Sequence, residues 1–117
     1  MKNFKAAFVS AGNDYSAALE RVAGDAELLR ELMQMFHADS NFSSMKNAVG
    51  AGETEKAFRA AHSLKGSCGM LGMNSLYEAM VQITDELRHG NLDGAKTVFP
   101  VVEREYGKVI ELIENNL

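Results

Sequence analysis

The sequence predicts an all-α fold, an antiparallel four-helix bundle with a short extra N-terminal helix. Three observations point there. Apolar residues recur with a period near 3.6 along most of the chain. Alternating β-branched runs bounded by hairpin turns are missing. The periodic segments are separated by brief turns that carry glycines and capping residues, which makes sequential helices antiparallel neighbours. With 117 residues the chain fits one domain with a real core. Residues 1–12 read as an N-terminal extension and 13–117 as the bundle.

Each element has its own signal. Phe4 to Ser10 can form the short first helix. Gly12, Asn13 and Asp14 interrupt it, and Asn13 or Asp14 can cap a short helix carrying Leu19 and Val22. Gly24 stops that helix. Asp25 is a good N-cap for the next, in which Leu28, Leu29, Leu32, Met33, Met35 and Phe36 make a broad apolar face. The pattern grows more polar from His37 to Ser44, but it predicts continuation to Val49. Gly50 to Glu53 is the break.

A long helix is predicted from Thr54 to Leu71. Ser75 and Glu78 have capping-box spacing, which starts the next helix there. It runs to His89, with Gly90 in the place of a C-terminal glycine. Asn91 caps the last helix, with Asp93 in its first turn, and the segment runs to Glu114. Pro100 lies inside it. Proline removes a donor and clashes with the preceding turn, so a kink or two abutting helices is expected.

Bulk properties exclude several functions. The net charge is −4 and the pI near 5.3, which argues against nucleic acid or an anionic membrane as the main partner. Cys68 is the single cysteine, so neither an intramolecular disulfide nor a Cys pair for a metal is available. The N-terminus lacks a convincing signal peptide, and no apolar run has the length of a membrane span. These features predict a cytoplasmic protein with no metal site. Met1 and the length fit a free-standing chain.

The most informative stretch is "HSLKGSCGMLG", from His62 to Gly72. Gly66, Gly69 and Gly72 crowd a helical segment although an interior glycine costs about 1 kcal/mol relative to alanine. Advancing about 100° per residue, Ala57, Ala60, Leu64, Cys68 and Leu71 gather on one face. His62 falls opposite, with Gly66 and Gly69 beside it and Lys65 and Arg59 flanking it. A lone histidine on a helix is ordinarily a surface residue, and a lone lysine is ordinarily just solvated. The two glycines need their own reason, and cleared space for a docking partner supplies one. Gly72 leaves that face and reads as the helix end. An exposed neutral imidazole is also a nucleophile able to carry a phosphoryl group.

The stretch closely resembles the motif of histidine-containing phosphotransfer (HPt) domains: His, any residue, Leu, Lys, Gly, a small pair, then a spaced Leu-Gly. "ALERVAGDAELLRELMQMF" is similar to that family's "L…GD…L" opening, and "RHGNLDGAK" to its turn between the last two helices. The resemblance implies that His62 accepts a phosphoryl group from a receiver aspartate and passes it to another receiver. It implies that Lys65 helps hold the phosphoryl group, that Gly66 gives access to the ring, and that Gly69 is a small position where the receiver approaches. Some members carry a glutamine where this chain has Thr84. Arg59, Thr84 and Arg88 are therefore expected to line the docking surface, and Met70 and Met73 to form an adaptable apolar rim.

The expected partners are response-regulator receiver domains and a hybrid sensor histidine kinase, with the chain itself a monomer. The resemblance also implies no cofactor of the domain's own, the divalent cation being supplied by the receiver. No nucleotide-binding motif is present, so a carrier without ATP binding is expected. Three alternatives stay open: the phosphorylated domain of a chemotaxis-type kinase, an adaptor that binds receivers without phosphorylation, and a general helical scaffold. Elsewhere, His37 reads as a packing or surface residue, His89 as a helix C-terminal residue, and Cys68 as a small buried core residue.

Overall fold

The computed structural model describes residues 3–117. They form seven helices: α1 (Phe4–Ser10), α2 (Tyr15–Arg21), α3 (Ala26–Ala38), α4 (Asn41–Gly50), α5 (Thr54–Met70), α6 (Asn74–Arg88) and α7 (Leu92–Asn116). No strand occurs among the described residues. No helix there is long and apolar enough to cross a membrane.

The predicted caps at three helix starts are in place. Asp14, Asp25 and Asn91 each accept a hydrogen bond from the backbone N–H three residues on, and Asn3, which the sequence reading did not name, does the same for Ala6 at the start of α1. Each satisfies one of the orphan donors of a first turn. Ser75 does not cap α6. That helix begins at Asn74 with Met73 at the N-cap and no side-chain bond. The Asn74 amide instead donates to the Gly12 carbonyl at 3.1 Å, tying α6 to the turn after α1.

Two expectations about continuity change. The helix after Asp25 does not run to Val49. Asp39 adopts an extended conformation (ψ 134°), and its carboxylate accepts from the Asn41 N–H at 2.7 Å, which restarts the chain as α4. In contrast, α7 is one continuous helix through Pro100, which rules out two abutting helices there. Pro100 is exposed, and Lys96, whose carbonyl loses the proline's N–H, is exposed too. Water can satisfy that carbonyl, while Val102, Val109 and Ile113 stay buried along the opposite face.

The bundle has four arms: α3 with α4, then α5, α6 and α7. Contacts show the directions. Along α3 and α4, His37 meets Glu114, Phe42 stacks on Tyr106, and Lys46 meets Glu103, so α7 runs antiparallel to this arm. On α5 and α6, Phe58 meets Arg88 and Gly69 faces Tyr77, the same reversal. The core is filled by Leu29, Met33, Phe36, Met45, Leu64, Leu76, Met80, Ile83 and Val102, all almost fully buried. Burying such side chains supplies roughly 1.5–3 kcal/mol each.

The N-terminal helices α1 and α2 pack against the rest of the bundle. Phe8 is fully buried and makes ring contacts with Phe4 and Tyr15. Arg21 of α2 donates from Nη1 to the carbonyls of Gly69 and Met70, at 2.8 and 3.2 Å. A cation thus sits on the unsatisfied C-terminal carbonyls of α5, where the helix dipole favours it. Gly72 ends α5 with φ +68°, and any Cβ there would fall on the Asp14 carbonyl. The Asp14 N–H donates to the Gly72 carbonyl at 2.9 Å. This glycine is both a turn and a contact point.

Candidate functional site

The outer face of α5 forms the site, because the inner face is fully committed. Ala57, Ala60, Ala61, Leu64 and Cys68 are all buried. Three of these five are alanines, so α5 can lie close against its neighbours. Burial pushes the Cys68 thiol up to about 12, because the thiolate would lose its hydration. It is therefore a neutral packing group, as the sequence indicates.

His62 is exposed on the opposite face. Its ring stacks on Phe58, one turn earlier, with centroids 5.8 Å apart and planes 22° from parallel. The Arg88 guanidinium from α6 lies over the same Phe58 ring, 5.6 Å from its centroid, and contacts Asp85 at 3.5 Å. Arg59 is exposed and paired with Glu55 at 3.2 Å. Lys65 is half-buried and takes part in none of the salt bridges among the described residues. Its charge is available to an anion one turn from the imidazole.

The glycines differ from one another. A Cβ at Gly66 would meet nothing within 4 Å, so the space one turn beyond His62 is open. A Cβ at Gly69 would lie 3.0 Å from Tyr77 Cε1. The room a side chain at Gly69 would need is taken by Tyr77 of α6, so packing between the two helices is itself a reason for a glycine there.

Two other expected docking residues lie elsewhere. Met73 is fully buried at the N-cap of α6, because the chain turns inward after Gly72. Thr84 is fully buried on the inner face of α6, and its Oγ1 has no hydrogen-bond partner. Neither can touch a docked protein. Met70 is exposed, together with Tyr77 and Val81 on α6. Those two form an exposed apolar strip at helical spacing, with Tyr77 against Gly69 of α5.

Phe58 and Tyr77 were not among the expected site residues. Phe58 had a legible signal, since it precedes His62 by the four residues that bring side chains together on a helix. Tyr77 had none, because its contact depends on how α6 packs on α5. Of the other histidines, His37 Nε2 pairs with Glu114 at 3.2 Å, and His89 Nδ1 lies 2.8 Å from the Asp85 carbonyl at the end of α6. Among the described residues, no group of three or more His, Cys, Asp or Glu side chains could hold a metal ion.

The candidate site is thus an exposed imidazole stacked on an aromatic ring, beside a lysine that joins none of the salt bridges among the described residues and an open position at Gly66. Comparison with protein families gave a match to the model of the Hpt domain over residues 27–112. That span begins in the first turn of α3, includes all of α5 and α6, and ends near the end of α7. Searches of curated proteins and of solved structures gave no match.

Proposed function

Since this chain belongs to the Hpt domain family, which carries phosphoryl groups on histidine in two-component signalling, we propose that His62 is its acceptor. In this reading His62 takes the group from the aspartyl phosphate of one receiver domain and yields it to the aspartate of another. The observation that carries the reading is the exposure of His62 beside the open space at Gly66. A phosphorylated aspartate on another protein can reach an imidazole only if nothing stands in front of it.

The lone pair of the neutral imidazole attacks phosphorus as the bond to the aspartyl oxygen breaks. The aspartate leaves as a carboxylate, and the phosphoryl group remains as a phosphoramidate on His62. Transfers of this kind depend on alignment and on charge stabilisation at the phosphoryl oxygens. Lys65 supplies one positive charge from this chain. The receiver supplies the divalent cation and the acidic site around its aspartate. The exposed apolar side chains of Met70 on α5 and of Tyr77 and Val81 on α6 give a receiver a surface to rest on.

The deciding experiment is transfer of acid-labile label from a phosphorylated receiver to the wild type and to His62→Gln. Label should pass to the wild type and not to the variant, and circular dichroism should show both folded. Full labelling of His62→Gln would place the acceptor elsewhere. Labelling of the wild type by ATP alone would replace the carrier reading with that of a self-phosphorylating protein.

A further inference from the structure

We infer that Phe58 is a positioning residue for His62, holding the imidazole by its face so that the attacking nitrogen's lone pair stays free for phosphoryl transfer. The inference rests on His62 being the acceptor. An exposed side chain on a helix ordinarily hops among rotamers on a fast timescale. An in-line attack needs one of those orientations, so an unrestrained ring loses rate.

Among the described residues, the other two histidines are held through their nitrogens. His37 uses Nε2 for Glu114, and His89 has Nδ1 against the Asp85 carbonyl and carboxylate. His62 has instead the face of Phe58. A hydrogen bond accepted by the attacking nitrogen would occupy the lone pair that the reaction needs. A stack restricts the plane of the ring and leaves that lone pair free. The centroid separation of 5.8 Å lies within the range of favourable offset aromatic contacts.

Phe58 is itself restrained. It is half-buried and packs against the core. Arg88 holds it from α6, and Asp85 in turn holds Arg88. The chain Asp85, Arg88, Phe58, His62 therefore ties the nucleophile to two helices. Its last link survives any protonation state, because a charged imidazole over an aromatic face is attracted to it as well.

The test uses Phe58→Leu, which keeps apolar bulk and removes the ring, and Phe58→Tyr, which keeps the ring. In proton NMR of the full chain, the ring current of Phe58 should displace the His62 ring protons. Phe58→Leu should return them to the shifts of a free histidine, and Phe58→Tyr should not. With saturating phosphorylated receiver, Phe58→Leu should slow transfer about tenfold, a loss of orientation. The receiver concentration for half-maximal rate should be unchanged, and Phe58→Tyr should restore the rate. Arg88→Gln, a surface change, should move both readouts in the same direction by less.

Wild-type rate in Phe58→Leu, or His62 ring shifts that ignore the substitution, would overturn the inference. Should Phe58→Leu fail to fold, Arg88→Gln decides: no change in shifts or rate refutes the linkage. Failure of the acceptor reading shows separately, as label absent from wild-type His62. The ring shifts need no phosphoryl donor and report the stack in either case.

Discussion

Tyr77 of α6 occupies the space that a side chain at Gly69 of α5 would need, with its Cε1 3.0 Å and its Cδ1 3.3 Å from the position of a Cβ there. Gly66, one turn earlier, faces nothing within 4 Å. The two glycines therefore answer differently to the same substitution. Gly66→Ala should stabilise the chain by about 1 kcal/mol, the helix-propensity difference alone. Gly69→Ala gains the same propensity but must push the Tyr77 ring aside by a few tenths of an ångström. Tyr77 is 39% exposed and can yield, so the net change should lie within about 0.5 kcal/mol of zero, the gain and the overpacking cost opposing each other. Urea denaturation of both variants checks this. Equal stabilisation by the two would mean that Tyr77 is not held against Gly69. The longer Gly66→Gln should slow transfer from a receiver without a loss of stability, because it fills open surface.

These glycines also mark what a sequence can and cannot convey. The helical wheel places Gly66, Gly69 and Lys65 beside His62, and the face assignment is correct for all the core residues it names. The wheel describes one helix and says nothing of its neighbours. Whether a cleared position is open or occupied depends on α6, which is why Gly66 and Gly69 look alike in sequence and differ in the structure. Met73 and Thr84 were misplaced for related reasons. Met73 follows the positive-φ turn at Gly72, where the helical periodicity no longer applies. Thr84 was read as surface-lining from the place it shares with a family glutamine, and the α6 periodicity of Met80, Ile83 and Leu87 puts it inside. The break at Asp39 hinges on one side-chain bond to Asn41, within a stretch whose apolar spacing suits one long helix equally well. The caps at Asp14, Asp25 and Asn91, each shortly after a glycine, were legible because their geometry is local.

Burial of Cys68 has a consequence for alkaline stability. Its thiol is pushed from an ordinary 9.0 up to about 12 in the folded protein. Above pH 9 the unfolded chain loses this proton while the folded chain keeps it. The contribution is full below pH 9 and is lost as pH rises from 9 through 12. Tyr106, also raised by burial, acts in the same direction, so the comparison must isolate the thiol. Chemical denaturation from pH 8 to 11 should show a steeper loss in the wild type than in Cys68→Ala. The variant starts from a lower stability because it leaves a small cavity. Parallel pH slopes would contradict the buried neutral thiol. In the same vein, a thiol reagent at pH 8 should label the native protein only at the rate of its opening.

Thr84 offers the sharpest test of the packing between the site and the core. It is fully buried, and its Oγ1 makes no hydrogen bond. An unpaired buried hydroxyl costs about 1–3 kcal/mol in lost hydration. Valine has nearly the same shape and the same branching at Cβ, so it removes the penalty without disturbing the helix. Thr84→Val should therefore raise stability by about 1–2 kcal/mol, measured by urea denaturation. Thr84→Ser keeps the hydroxyl and loses a methyl, so it should be less stable than the wild type. Thr84→Gln must force a longer side chain into a filled space and should cost about 1–3 kcal/mol. None of these changes reaches the exposed face of α5, so Thr84→Val should transfer phosphoryl groups at the wild-type rate. A Thr84→Val protein that is less stable than the wild type would show that the hydroxyl has a partner in solution. A stable variant that transfers slowly would show that Thr84 reaches His62 through the packing of α5 on α6.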